Sequence, residues 1–336
     1  MRVLYQSGSL RSKDNPSGPP MLHAMSTTSS ATAVQPISST QPLTAQQVQS
    51  FRDDGILVAY GLLSDADLAP VRAELTAWID TKARELQAKG VIKDLHLDAP
   101  FTRRFGLLMA QSAQIQDGFD VVPLFGRALF TFLHTPRLLN ALHQLIGTEE
   151  LSLNPIHHIR AKPPQDQCSD QHKGYFSVPW HQDSGVTLAE ADTSEIVTTW
   201  LPLGDATEEM GCLQVLPGAN RLGHLTHVAV PGYGTSIKPA AMPKITPRKL
   251  PVHAGDVVFM HRHLPHHSTP NRSQDCRWSL DLRFQRTGDH NGRPWQPDFV
   301  VRSPSGRPLA DHGTWVRGWN EALAKPDGHR VVHRLS

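Results

Sequence analysis

The sequence predicts a mainly β protein with flanking helices, an α+β fold in which a helical N-terminal part packs on a β-sandwich. Two observations support this prediction. Apolar residues recur at helical spacing up to about residue 147, and short apolar runs alternate with glycine and proline turns from about residue 151 onward. The chain has 336 residues, of which 39% are hydrophobic, and this is enough for one large core.

The N-terminal part contains at least three helical patterns. A first helix is predicted within residues 43–55, where Thr44 can cap its start and Gly55 can end it. A second helix starts at Ser64, and its apolar residues recur at helical spacing: Leu68, Val71, Leu75 and Ile79. Residues 122–147 repeat this pattern. These helices provide one apolar layer for a sheet to pack against.

The strand candidates are short, as is typical of sandwiches and barrels. In the last of them, polar residues (Arg277, Ser279, Asp281, Arg283) alternate with apolar ones (Trp278, Leu280, Leu282, Phe284). Because neighbouring residues of a strand point to opposite faces, the apolar face packs on the core and the polar face meets solvent or a polar cavity. The candidates are residues 56–60, 195–201, 212–216, 255–260 and 277–284.

Bulk composition excludes several function classes. The 33 basic and 31 acidic residues leave a net charge of +2, which argues against nucleic acid or an anionic membrane as a partner. No stretch approaches the roughly 20 apolar residues of a membrane span. Cys168, Cys212 and Cys276 are scattered and form no CxxC pair, which favours a reducing, cytoplasmic compartment. A small-molecule partner is therefore expected, and the sequence does not indicate an oligomeric state.

The first part of the chain differs in composition from the rest. Residues 1–42 are rich in Ser, Thr, Pro and Gln and poor in acids, so a disordered tail is predicted there. Residues 43–336 are then expected to form a single domain. A transit peptide, or translation that begins at Met21 or Met25, remains an alternative.

The pair His181 and Asp183 is the first candidate for metal binding. Residues i and i+2 of a strand point to the same face, so an imidazole and a carboxylate can meet at one point. The two-histidine-one-carboxylate triad of non-haem iron proteins needs a second histidine and keeps positions open for reactants. Four candidates follow the strand at residues 255–260, namely His261, His263, His266 and His267.

The polar face of residues 277–284 offers a site for a dicarboxylate. The guanidinium of Arg277 matches a carboxylate fork, and Ser279 lies on the same face, where its hydroxyl can donate a further hydrogen bond. A structural salt bridge between Arg277 and Asp281 is the alternative.

Several features together resemble the phytanoyl-CoA dioxygenase-like (PhyH) branch of the Fe(II)/2-oxoglutarate-dependent oxygenases, over roughly residues 43–290. The resemblance implies a double-stranded β-helix core of the jelly-roll or cupin type. The features are Trp180–Asp183, the long run Trp200–Arg221, His261–Asn271, Arg277 eleven residues after His266, and the opening helix and strand at residues 43–62.

Residue roles follow from this resemblance. Iron is assigned to His181, Asp183 and His266, because the eleven-residue interval to Arg277 favours His266 over its three neighbours. Arg277, with help from Ser279, is expected to bind the distal carboxylate of 2-oxoglutarate. Two weaker assignments complete the set: Trp200 on the co-substrate side, where plain core is the alternative, and Lys162 near the co-substrate, where a solvated charge is the alternative.

The implied function is that of a dioxygenase that uses Fe(II), with 2-oxoglutarate and O2 as co-substrates, and releases succinate and CO2. Asp183 favours hydroxylation, or a related desaturation, epoxidation or cyclisation, because halogenating relatives lack this carboxylate. A small metabolite or natural-product intermediate is the expected substrate, with the loops at residues 164–179 and 231–248 shaping its pocket. The alternatives are an acyl-CoA hydroxylase of the phytanoyl-CoA type, a non-catalytic sensor or scaffold, and a hydrolytic zinc protein.

Overall fold

The computed structural model describes residues 42–167, 178–231, 234–306 and 310–335. Apart from Pro42, the predicted tail lies outside these residues, and so does most of the predicted loop at residues 164–179. No helix in the described ranges is long and apolar enough to cross a membrane.

The helices begin and end where the capping residues allow. The Thr44 hydroxyl accepts a hydrogen bond from the Gln47 amide at 3.2 Å, and Gly55, with a φ of 73°, ends the first helix. Ser64 precedes the second, as predicted. The α-helices are α1 (Ala45–Asp54), α2 (Asp65–Ala88), α3 (Phe101–Gln111), α4 (Val121–Leu124), α5 (Arg127–Phe132), α6 (Pro136–Ile146) and α7 (His312–Leu323).

The strands form a large sheet, a small sheet and a hairpin. The large sheet has the order β1-β9-β4-β11-β2-β12, with β3 also paired to β11; the small sheet has the order β10-β5-β8, and β6 pairs with β7. The strands are β1 (Ile56–Ala59), β2 (Leu151–Leu153), β3 (His158–Lys162), β4 (Ile196–Pro202), β5 (Leu213–Val215), β6 (His227–Val230), β7 (Gly234–Ile237), β8 (Arg248–Leu250), β9 (Val257–His261), β10 (His266–Ser268), β11 (Arg277–Arg286) and β12 (Phe299–Arg302). The ladders between these strands are antiparallel.

Successive side chains of the central strands point to opposite faces of the large sheet, and two separate apolar cores result. Val257 and Phe259 of β9 pack with the helices, whereas Val258 and Met260 pack between the two sheets. The apolar residues of β11 join the helical core in the same way: Trp278, Leu280, Leu282 and Phe284. The opposite face of β11 is therefore left for the space between the sheets, and the two facing sheets form the predicted jelly-roll core.

The space between the sheets is a cavity of about 410 Å³. An isolated antiparallel bridge joins His181 to His266, with N–O distances of 3.0 and 2.9 Å, and so adds residue 181 to the edge of the small sheet. The extended backbone ends at Gln182, and a 3-10 turn, Asp183–Val186, follows it. Near the end of the chain, the Arg334 amide donates to the Gly185 carbonyl at 2.8 Å, and Val331 and His333 complete the wall beside this turn.

Candidate metal and co-substrate site

Three potential metal ligands meet on one wall of the cavity. The ligand atoms of His181, Asp183 and His266 all lie within 4.8 Å of one another. The bridge between residues 181 and 266 sets the two histidines side by side, with ring centroids 4.2 Å apart. Asp183 reaches the same point from the start of the 3-10 turn, because Gln182 keeps an extended backbone between it and His181.

Backbone carbonyls fix the orientation of both imidazoles. Nδ1 of His181 lies 2.9 Å from the Pro179 carbonyl oxygen, and Nδ1 of His266 lies 3.0 Å from that of Leu264. Each Nδ1 donates its proton to the carbonyl, so each Nε2 keeps the lone pair that a metal needs.

The other candidate histidines have different partners. Nε2 of His267 lies 2.7 Å from Oε1 of Gln214, on the opposite face of β10. The rings of His261 and His263 contact each other, with centroids 5.3 Å apart. Within the described residues, only His266 of the four joins a three-ligand group with His181 and Asp183.

Asp183 is held from two neighbouring strands. Its carboxylate accepts hydrogen bonds from the Arg283 guanidinium and the Thr198 hydroxyl. Thr198 of β4 and Arg283 of β11 are direct partners in the sheet, so a single register brings both donors to one carboxylate. The sequence reasoning missed this pair, although the polar face of β11 included Arg283.

The protonation states of the cluster suit a metal. Burial, together with the neighbouring His266, lowers the pKa of His181 to about 3, so its imidazole is neutral at pH 7. Burial alone would raise the pKa of Asp183, but the adjacent Arg283 guanidinium holds it below its usual range. Two imidazoles and one carboxylate are the donor set that non-haem iron sites use, and the residues therefore fit Fe(II).

Arg277 is a buried cation without an acidic partner in the described chain. Its Nη1 donates to the Gly211 carbonyl at 2.8 Å, and its guanidinium lies 5.2 Å from the centre of the Trp200 ring. Nε of Arg277 is buried and has no hydrogen-bond partner among the described residues. Burial lowers the pKa of Arg277 to about 10, so the side chain stays charged at pH 7. An orphaned donor on a buried cation fits the carboxylate of a co-substrate.

The alternative salt bridge between Arg277 and Asp281 does not form. The carboxylate of Asp281 instead lies 3.6 Å from Nε of Arg160, on β3. Arg277 and Arg160 thus differ in role although both line the cavity, because only Arg160 has an acid within ion-pair distance.

The three other residues predicted for the co-substrate side, Trp200, Lys162 and Ser279, are all buried, and the first two line the cavity. Trp200 is 3% exposed, belongs to the inter-sheet core and also lines the cavity. Lys162 lines it too and is buried; its Nζ donates to the Ser268 hydroxyl at 2.8 Å and to the Thr269 carbonyl. Ser279 is fully buried outside the described cavity wall, and its hydroxyl donates to Asp281 at 3.4 Å. Ser268, whose hydroxyl accepts from Lys162, does line the cavity.

Together, the jelly-roll core and the two-histidine-one-carboxylate cluster define the class of non-haem iron oxygenases. The model of the phytanoyl-CoA dioxygenase (PhyH) family matches residues 51–279. The chain therefore belongs to this family and is an Fe(II)/2-oxoglutarate-dependent dioxygenase, in agreement with the sequence prediction.

Individual relatives are distant. The chain is 24% identical over 254 residues to peroxisomal phytanoyl-CoA dioxygenase of Bos taurus. This alignment covers 74% of the present chain and 70% of the bovine protein. The chain is 26% identical over 201 residues to L-proline trans-4-hydroxylase of Streptomyces griseoviridis, with 54% and 71% covered. Among solved structures, the non-heme monooxygenase ThoJ is similar with a TM-score of 0.56 at 19% identity, covering 82% of this chain and 94% of that one. This last likeness shows the fold alone.

Proposed function

We propose that His181, Asp183 and His266 bind Fe(II), that Arg277 binds the distal carboxylate of 2-oxoglutarate, and that the chain hydroxylates a small molecule. The observation that carries the proposal is the convergence of the three ligand atoms, within 4.8 Å of one another, on a cavity that also contains the buried Arg277. No acidic side chain of the described ranges lies within ion-pair distance of this arginine. Trp200 and Lys162 complete the co-substrate side, and Ser279 would support it indirectly through Asp281.

Each residue of the wall has a separate task. Iron and 2-oxoglutarate, when bound, supply the oxidising power, so that O2 and 2-oxoglutarate yield one substrate hydroxyl, succinate and CO2. Arg277 orients the co-substrate by its charge, and the Trp200 ring beside it stabilises the guanidinium through a cation–π contact. Thr198 and Arg283 hold the Asp183 carboxylate in place, so the ligand geometry does not depend on the metal alone.

The substrate is proposed to be a small metabolite or a natural-product intermediate. Distant relatives are named for a fatty acyl-CoA and for L-proline, so family membership leaves both kinds open. A cavity of about 410 Å³ is within the range of small-molecule sites and must also contain the co-substrate. This size favours a compact substrate over a long acyl chain.

The first test is an anaerobic titration of Fe(II) and 2-oxoglutarate into the purified protein, followed by the visible charge-transfer band of the chelate. His266→Ala should abolish the band, whereas His267→Ala, one residue away, should keep it. Arg277→Gln should weaken the binding of 2-oxoglutarate by about 10- to 100-fold, which corresponds to the loss of one charge-assisted hydrogen bond. Arg286→Gln, on the exposed end of the same strand, is its matched control.

The alternatives give different results. A zinc hydrolase would show no band with the wild-type protein even when it is folded and metal-loaded. A non-catalytic sensor would show the band, yet it would release no succinate above the uncoupled rate with any substrate screened. Loss of the band in His267→Ala but not in His266→Ala would overturn the ligand assignment.

Domain extent and compartment are part of the same proposal. We infer that residues 43–336 form one oxygenase domain, since Leu43 already belongs to the helical core. We propose a cytoplasmic location, because Cys212 and Cys276 are free cysteines, as a reducing compartment favours. A fluorescent fusion found in another compartment would refute this location.

A further inference from the structure

The cavity wall is strongly cationic. Among the described residues, five cationic side chains line it against two acidic ones, an excess of three positive charges. The cations are Arg160, Lys162, Arg277, Arg283 and Arg293, and the acids are Asp183 and Asp281. Fe(II) and the 2-oxoglutarate dianion carry opposite charges of equal size, so their binding leaves the excess unchanged. A buried excess of this kind is costly unless an anion enters the cavity.

Most of these cations already have a partner or a task. Arg160 pairs with Asp281, and Arg283 pairs with Asp183. Lys162 donates to Ser268 and Thr269, and Arg277 is assigned to the co-substrate. Arg293 is left, because no acidic side chain of the described ranges lies within ion-pair distance of it.

Arg293 is a buried charge on the cavity wall. Only 6% of it is exposed, and its guanidinium has one hydrogen bond within the described chain, from Nε to the Val186 carbonyl at 3.2 Å. The Asn291 side chain fixes its backbone by accepting from the Arg293 amide at 2.7 Å. Burial, and then the nearby Arg283, lower the pKa of Arg293 to about 10, so it remains a cation at pH 7.

Arg293 lies far from the predicted co-substrate end. Arg277 and Arg283 are six residues apart on β11, which corresponds to about 20 Å along an extended strand. Arg293 bonds to Val186 in the turn that starts at Asp183, and Arg283 contacts Asp183 itself, so Arg293 belongs to the Arg283 end of the cavity. Apolar groups of Ile156, Val186 and Val331 also line the wall.

We propose that Arg293 binds a carboxylate of the substrate, so that the substrate is a small carboxylic acid rather than a thioester. The inference rests on the proposed function, because it takes Arg277 as the site of the co-substrate carboxylate. The acid end is held by Arg293, the hydrocarbon part lies against the apolar wall, and the carbon to be oxidised is presented to the metal ligands. Two separate arginines keep substrate and co-substrate from exchanging places.

The test measures binding of three acids of increasing length, benzoate, 3-phenylpropanoate and 5-phenylpentanoate, each against its primary amide. The protein is full-length, loaded anaerobically with Fe(II) and 2-oxoglutarate, and the affinities are measured by calorimetry. At least one acid should bind at least about tenfold more tightly than its amide, the value of one charge-assisted hydrogen bond. Arg293→Gln should remove this preference and leave the affinity for the amide within about twofold. Arg293→Lys should restore part of it, and Arg286→Gln should have no effect.

The two proposals fail separately in this experiment. If all three acids and amides bind wild-type protein equally, or if Arg293→Gln keeps the preference, the substrate inference is wrong. The proposed function still stands in that case, provided that 2-oxoglutarate gives its charge-transfer band. If the band itself is absent, the proposed function fails first. Should Arg293→Gln not fold, Arg293→Lys and the wild-type comparison of acid with amide still decide the matter.

Discussion

His157 is a buried histidine that couples the stability of the fold to pH. It is 4% exposed, its Nδ1 lies 3.1 Å from the Asn154 carbonyl, and its ring packs against Trp319 with centroids 5.5 Å apart. Its Nε2 has no partner among the described residues, so a proton there would be buried without solvation. Burial accordingly lowers the pKa of His157 to about 4.

The sign of the effect follows from which state takes up the proton first. The pKa of an unfolded histidine is about 6.5, so the unfolded chain is protonated before the folded one as the pH falls. The contribution of His157 to stability is therefore complete above pH 6.5 and is lost between pH 6.5 and about 4. At about 1.4 kcal/mol per pKa unit, the loss over this interval is about 3 kcal/mol.

The assay is urea unfolding of the wild-type protein and of His157→Gln at several pH values between 8 and 4.5. Because glutamine does not titrate, the difference in unfolding free energy between the two proteins isolates the histidine, while other titrating groups cancel. Wild-type stability should fall relative to the variant by about 1.4 kcal/mol per pH unit below pH 6. A flat difference for His157→Gln would refute the reasoning.

Three further predictions concern packing, metal binding and a backbone contact. Trp278→Ala should lower the free energy of unfolding, measured in urea, by about 3–5 kcal/mol. Trp278 is fully buried, and the centroids of three phenylalanine rings lie within 5.7 Å of its own ring centroid. A loss below about 1 kcal/mol would contradict this prediction. Thr198→Val should weaken the binding of Fe(II) about 10- to 100-fold in anaerobic titration, because the variant lacks the hydroxyl that donates to Asp183. An unchanged affinity would argue against this role of Thr198. Gly211→Ala should destabilise the fold by about 1–3 kcal/mol in urea unfolding. Gly211 has a φ of 79°, and an added Cβ would lie 2.3 Å from the Thr269 carbonyl oxygen. A neutral effect would contradict this prediction.

Much of the fold could be predicted because local signals and tertiary contacts agree. Thr44 and Gly55 mark the ends of α1 in both the sequence and the structure, and β11 contains the whole predicted strand at residues 277–284. The helix α7 was not predicted, although Asp311 can cap its start and Trp315, Trp319 and Ala322 recur at helical spacing. Four of the described strands have three residues; β5 lies in the predicted segment 212–216, whereas β2, β8 and β10 show no period and are defined only by their partners.

The site was predictable in its residue types and less so in its contacts. The spacing of His181 and Asp183 placed them together correctly, yet the strand that was assumed there ends at Gln182. The contact of Arg283 with Asp183 joins residues 100 positions apart, and nothing in local sequence indicates which acid a cavity arginine meets. Arg293 lies in a loop without periodicity, so its burial on the wall could only be seen in the structure.

The register of strand β11 determines both the packing of the core and the position of the polar side chains in the cavity. Its apolar face belongs to the helical core, and its polar face carries Arg277 and Arg283. A slip of one residue would exchange the two faces, and a molecule with guanidinium groups in its core would not fold. A slipped register would also separate Arg283 from Thr198, the pair that positions the Asp183 carboxylate. The placement of Asp183 is therefore a consequence of correct folding, so a folded molecule already has this carboxylate in position.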